Sequence, residues 1–200
     1  MKLTPIIFAG LLFLGLTFAQ STGGGTGGST GGEGGASPSE NAQLGATAEI
    51  VDAEGNVIGD ANFTTGTDEG GQAYVTIQVG LSPDAGLEPG EHGFHIHEVG
   101  ECSAPDFESA GGHYNPTGAQ HGLLNPEGAH AGDLPNLVVG QGGVVDYVVT
   151  TALVTLGEGE RTLFDSDGSA VMIHEGPDDY ITDSSGDSGS RVACGVITQP

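Results

Sequence analysis

Gly45-Ala46-Thr47-Ala48-Glu49-Ile50-Val51 and Tyr74-Val75-Thr76-Ile77-Gln78-Val79 carry an apolar side chain at every second position. Residues two apart on an extended chain point to the same face, so these runs predict strands with one buried and one solvated face. Gly-rich turns, Glu54-Gly55-Asn56 and Glu69-Gly70-Gly71, break up the stretch 44–79. Strand-like runs recur at Leu137–Val139, 144–154, Ala170–His174 and 192–198, with no convincing helical stretch between them. Short strands at close spacing predict an all-β antiparallel sandwich or barrel. Two segments, roughly 100–135 and 175–190, lack strand character, and loops that long in a compact domain are usually functional.

All seven histidines lie between positions 92 and 174. His95 and His97, two apart on a strand, present their imidazoles on one face, and His174 at the end of another strand offers a third nitrogen. His113, His121, His130 and Asp133 form a second group inside the long loop. Imidazole suits zinc and copper, and three histidines with one carboxylate suit tetrahedral zinc. A lone histidine is ordinarily a core or surface residue; seven confined to one window point to metal. A metal in the loop would also contribute folding energy where apolar side chains are scarce.

The 200 residues predict one core with appendages. Residues 1–19 read as a signal peptide: Lys2, an apolar run from Ile6 to Phe18, and small residues before Gln20. The run is short for a membrane span, which needs about 20 apolar residues, so stable membrane insertion is not expected. Residues 20–43 are mostly Gly, Ser and Thr and cannot bury enough surface to offset their ordering entropy, which predicts a flexible linker. The folded domain is expected over 44–200. The formal charge is −24; with Lys2 gone, the 27 acidic residues face only Arg161 and Arg191, a charge of −25. Such acidity excludes nucleic acid as a partner. Cys102 and Cys194 are the only cysteines, and in an exported chain such a pair reads as a disulfide.

Gly93-Phe94-His95-Ile96-His97-Glu98, Gly111-Gly112-His113-Tyr114-Asn115-Pro116, His130-Ala131-Gly132-Asp133-Leu134 and Gly189-Ser190-Arg191-Val192-Ala193-Cys194-Gly195-Val196 strongly resemble copper,zinc superoxide dismutase. Tyr180 to Arg191, with Thr182-Asp183 and Gly186-Asp187-Ser188-Gly189, resembles its bacterial exported branch. The resemblance implies an eight-stranded antiparallel Greek-key β-barrel or sandwich, immunoglobulin-like in architecture, with two long functional loops. It further implies one copper per chain on His95, His97, His113 and His174, and one zinc on His113, His121, His130 and Asp133. Asp178 matches a carboxylate linking a copper histidine to a zinc histidine, and His92 a structural position beside the copper strand. The same resemblance makes Cys102–Cys194 a disulfide and Arg191 the residue that orients the substrate, superoxide. His113, as the bridging ring, and Arg191 are then the catalytic residues of an enzyme that disproportionates superoxide to dioxygen and hydrogen peroxide. Copper cycles between Cu(II) and Cu(I), and zinc is structural. The resemblance places the protein in the periplasm, the cell envelope or the extracellular space, as a monomer or a homodimer. The rival reading is a non-catalytic metal-binding or copper-delivery module on the same fold. One departure stands out: residues 175–190 contain no lysine, where relatives often carry lysines that guide the anion.

Overall fold

The computed structural model describes residues 45–200; the expected signal peptide and linker lie outside the described residues. Nine strands follow in order: β1 (Gly45–Asp52), β2 (Val57–Thr67), β3 (Ala73–Leu81), β4 (Gly90–His92), β5 (Phe94–His97), β6 (Leu137–Val139), β7 (Tyr147–Thr151), β8 (Ala170–His174) and β9 (Arg191–Val196). Seven form one antiparallel sheet in the order β5-β8-β9-β1-β2-β3-β7, while β4 pairs with β6. Only Gly93 separates β4 from β5, so the two act as one strand, and a bridge between Val139 and Val145 carries β6 toward β7. These two joints close eight strands into a barrel whose order departs from chain order twice, after β3 and after β7. That is the expected Greek-key arrangement. Among the described residues no helix is long and apolar enough to cross a membrane.

The alternating pattern places the core where it is expected. Ala46, Ala48, Ile50, Phe63, Val75, Ile77 and Val79 point inward and are almost wholly buried, while Thr64 and Gln78 between them are exposed. Strands β5 and β8 break this rule, since every residue in both is buried. Phe94 and Ile96 on β5, with Val171 and Ile173 on β8, enter the main core. The opposite face of β8, Ala170 and Met172, packs with Cys194, Phe107 and Ala110 in a second, smaller core. The segment between Cys102 and His113 therefore lies over the outside of the barrel. Within it a single 3₁₀ turn, Glu108–Ala110, is the helical piece that the strand pattern gave no sign of.

Cys102 and Cys194 form the disulfide expected of them, 92 positions apart, and their bond pins this loop to β9 beside the small core. Strand β7 covers only the middle of the run 144–154, and β4 is a strand too short for periodicity to reveal. Replacing Cys102 and Cys194 together by serine is expected to lower the unfolding free energy of the metal-loaded protein by about 2 to 5 kcal/mol, measured by denaturant titration. A loss below that range would mean that Phe107 and Met172 hold the loop without the bond.

Candidate metal centre

Strand β5 is the floor of the site. Because Phe94 and Ile96 are taken by the core, His95 and His97 must point outward, and both are buried there by the long loop. The loop docks through three backbone hydrogen bonds in a ring: Ile96 N–H to Gly132 O at 2.9 Å, Gly132 N–H to Tyr114 O at 2.8 Å, and Tyr114 N–H to Ile96 O at 2.8 Å. A β-carbon on Gly132 would collide with the Ile96 carbonyl, so the approach requires glycine. The docking sets His113 against His97 and Asp133 against His95 as isolated bridges. On the other side, β8 and β9 slip register between Ile173 and His174, which places His174 opposite Arg191.

The structure thus gathers two groups of buried ligand atoms, His95, His97, His113, His174 and His113, His121, His130, Asp133, each group within 4.8 Å. In the first group one nitrogen of each ring is anchored. His95 Nε2 donates to Asp178 Oδ2 at 2.8 Å, His97 Nδ1 to Gly111 O at 3.0 Å and His174 Nδ1 to Gly189 O at 3.2 Å, while His113 Nδ1 faces Asp133 Oδ1 at 2.8 Å. The remaining nitrogens, His95 Nδ1, His97 Nε2, His113 Nε2 and His174 Nε2, are buried with no hydrogen-bond partner. A buried polar atom without a partner costs about 1–3 kcal/mol, and four of them converging on one point fit the lone pairs of a metal site.

In the second group Asp133 Oδ2 is held by the backbone N–H groups of Gly122 and His130, at 2.8 and 2.9 Å. Its Oδ1 is then approached by three Nδ1 atoms, those of His113 at 2.8 Å, His121 at 3.1 Å and His130 at 3.2 Å. His130 Nδ1 comes close without hydrogen-bond geometry. Ligands of a tetrahedral zinc with 2.0–2.1 Å bonds sit about 3.3 Å from one another, so this donor set fits zinc. His113 belongs to both groups through its two nitrogens.

Asp178 links the groups. Its Oδ2 accepts from His95 and its Oδ1 from His121 Nε2 at 3.0 Å. Asn136 fixes it, with Nδ2 donating to the Asp178 carbonyl and Oδ1 accepting the Asp178 N–H. Gly186, at φ 64°, lies so close that a β-carbon there would strike the Asp178 carboxylate. The neighbouring Asp179 is exposed and only caps the turn, accepting from the N–H groups of Ile181 and Thr182. His92 has both nitrogens on carbonyl oxygens, of His174 at 2.8 Å and of Glu88 at 2.9 Å, and so braces β8 with no nitrogen left for a metal.

Electrostatics sort the rings in the same way. Burial lowers His95 and holds His97 well below the usual imidazole range. Burial also takes His113 down to about 4, against the pull of Asp133, and His174 down to about 3. Burial opposes charge on His121 too, but its hydrogen bonds to Asp133 and Asp178 outweigh it and raise that ring to about 9. Desolvation would raise both carboxyls; instead the imidazoles around Asp133, and His121 with His95 around Asp178, hold them below the ordinary carboxylate range.

Arg191 closes the site. Its Nη1 donates to Phe107 O and its Nη2 to Gly111 O, both at 2.6 Å. Gly111 O therefore serves Arg191 and His97 together. Arg191 lines a pocket of about 230 Å³ with His97, His113, His130, His174, Ser184 and Ser185. The carbonyls of Phe107 and Gly111, the close approaches of Gly132 and Gly186, and the two-way bonding by Asn136 have no side-chain signature that a sequence pattern displays.

The chain matches the family model for copper/zinc superoxide dismutase (SODC) over residues 57–197. Superoxide dismutase [Cu-Zn] 2 of Aquifex aeolicus is 48% identical over 80% of this chain and 91% of its own. Superoxide dismutase-like protein YojM of Bacillus subtilis is 43% identical over 79% of this chain and 78% of its own. The crystal structure of a SOD-like protein from Bacillus subtilis superposes with a TM-score of 0.68 at 44% identity, covering 75% of this chain and 96% of that one. The chain belongs to the copper/zinc superoxide dismutase family.

Two outcomes follow from this geometry. Gly186→Ala is expected to push Asp178 off His121 and lower zinc affinity by about 10- to 100-fold, measured by chelator competition; an unchanged affinity would free Asp178 of the role given to it. The metal-free protein is expected to be most stable near pH 6.5. Below that, the unfolded chain binds protons that His113 and His174 refuse until about 4 and 3; above it, the folded state alone keeps the His121 proton up to about 9. Urea titrations across pH check both slopes.

Proposed function

We propose that this protein is a copper,zinc superoxide dismutase in which His95, His97, His113 and His174 hold copper, and His113, His121, His130 and Asp133 hold zinc. The observation that carries the reading is the set of four converging orphan nitrogens, three of them on rings, His97, His113 and His174, that line a small pocket with Arg191. When bound, copper supplies a one-electron Cu(II)/Cu(I) couple by which two superoxide ions and two protons become dioxygen and hydrogen peroxide, and zinc supplies fixed charge without redox chemistry.

The chain's own residues account for the rest. The Arg191 guanidinium has five N–H donors, and carbonyl oxygens hold Nη1 and Nη2, which orients the group while leaving donors for an anion in the pocket. A pocket of about 230 Å³ gives a diatomic anion ample room beside the guanidinium, so selection among small anions falls to charge rather than size. His113 has Nδ1 turned to Asp133, so Nε2 is the atom that turns a lone pair to the pocket and would take up a proton on that side. Asp178 fixes the orientation of His95 and His121 at once, which keeps the two donor sets in register. Both sets and Arg191 are in place, and no observation at the site favours a delivery module.

Residues 1–19 act as a signal peptide and 20–43 as a tether in this reading, and the Cys102–Cys194 bond accords with export to the periplasm, the envelope or the medium. Metal analysis is expected to give one copper and one zinc per chain, with superoxide dismutation abolished by cyanide; a loaded protein without dismutation would overturn the proposal. Arg191→Glu is expected to lower kcat/KM by more than about tenfold with both metals retained; an equal rate would remove Arg191 from catalysis.

A further inference from the structure

Arg191 and Arg161 are the only cationic side chains of Lys or Arg type among the described residues, and Arg191 alone lines the metal pocket. The two carbonyls that hold it belong to the turn of the disulfide loop, and Phe107, which provides one of them, stands between Asp106 and Glu108. Both acids are exposed. With Gly189, Ser190 and Arg191 they line an open recess of about 310 Å³, and Gly189 and Arg191 are shared with the metal pocket. Neither carboxylate makes an ion pair with Arg191, yet both lie near enough to act on its charge. The loop 175–190 offers no lysine to offset them.

We propose that Asp106 and Glu108 form a charge gate at the mouth of the site: they weaken the capture of anions by Arg191, and they do so more for polyvalent anions than for a singly charged one. The idea rests on superoxide being the substrate. Its physics is local. Exposed charges act over about one Debye length, roughly 10 Å at 0.1 M salt, so acids beside the guanidinium shape its field where acids across the barrel do not. Repulsion grows with the charge of the anion, so a phosphate dianion loses more than superoxide does. The gate thus trades association rate for selectivity, keeping Arg191 clear of the larger anions that would otherwise occupy it.

The experiment compares the fully loaded protein with its Asp106→Asn/Glu108→Gln variant. Asparagine at 106 retains the oxygen that accepts the Glu108 N–H, and Glu108 makes no side-chain hydrogen bond, so folding is not at issue. Azide and inorganic phosphate are titrated by the copper absorption band, and superoxide decay gives kcat/KM. At about 10 mM ionic strength the variant is expected to bind azide about threefold tighter, to bind phosphate about tenfold tighter, and to gain about threefold in kcat/KM, with all differences shrinking at about 0.3 M. A control, Asp68→Asn/Glu69→Gln on the β2–β3 turn, removes the same charge outside both pockets and is expected to change little. Unchanged affinities for both anions, equal gains for azide and phosphate, or an equal effect of the control would overturn the gate. A loaded wild type that binds azide but does not dismutate superoxide would sink the proposed function instead, and the two anion titrations would still decide the gate.

Discussion

The ring of hydrogen bonds among Ile96, Tyr114 and Gly132 is the contact on which the rest of the site depends. Each member of the ring neighbours a ligand: His95 and His97 flank Ile96, His113 precedes Tyr114, and Asp133 follows Gly132. A barrel has only one inside, and β5 spends it on Phe94 and Ile96. The histidines face the outer side, where water would ordinarily reach them. Docking the loop edge-on to β5 satisfies the backbone groups that burial would otherwise orphan, and it dries the outer face without a second sheet. The disulfide performs the corresponding task on β8 and β9, over the small core of Phe107, Ala110, Met172 and Cys194.

This arrangement buries polar atoms that the protein alone leaves unmatched. Burial keeps His113 and His174 neutral down to about 4 and 3, so their lone pairs face the cluster rather than holding protons. Asp133 and Asp178 bring compensating negative charge, and His121, between the two, is the one ring they draw toward protonation. The same carboxylates that raise His121 in the metal-free protein are the ones that would offset a divalent cation in its place. Folding stability and metal binding therefore rest on one set of contacts, which is why a glycine at 132 or 186 matters to both.

The strand pattern made the barrel legible, because Ala46, Ala48, Ile50 and Val75, Ile77, Val79 alternate as half-buried strands must. The donor sets were legible because all seven histidines fall within 92–174 and because the motifs around His95, His113, His130 and Arg191 resemble a known family. What stayed hidden has a physical reason. Strand β4 is three residues long, too short for any period to register. The turn at Glu108–Ala110 follows from packing Phe107 and Ala110 onto β8, a tertiary effect with no local pattern. The anchors of Arg191 are carbonyl oxygens, which every residue has, and only the fold selects those of Phe107 and Gly111.

That choice of anchor has a consequence for the charge of the site. In a chain with 27 acidic residues, an arginine is most easily fixed by a carboxylate, and such a pair would cancel the charge that an anion must find. Carbonyls fix the guanidinium with directed hydrogen bonds and leave its full charge in place. Positioning and attraction are thereby separated: the backbone at Phe107 and Gly111 positions Arg191, while its attraction outward is set by whichever charged side chains stand nearby. In this chain Asp106 and Glu108 are among them and act on its charge, carried by the same turn that supplies the anchors, so the loop that orients the arginine also bears on how far its charge reaches.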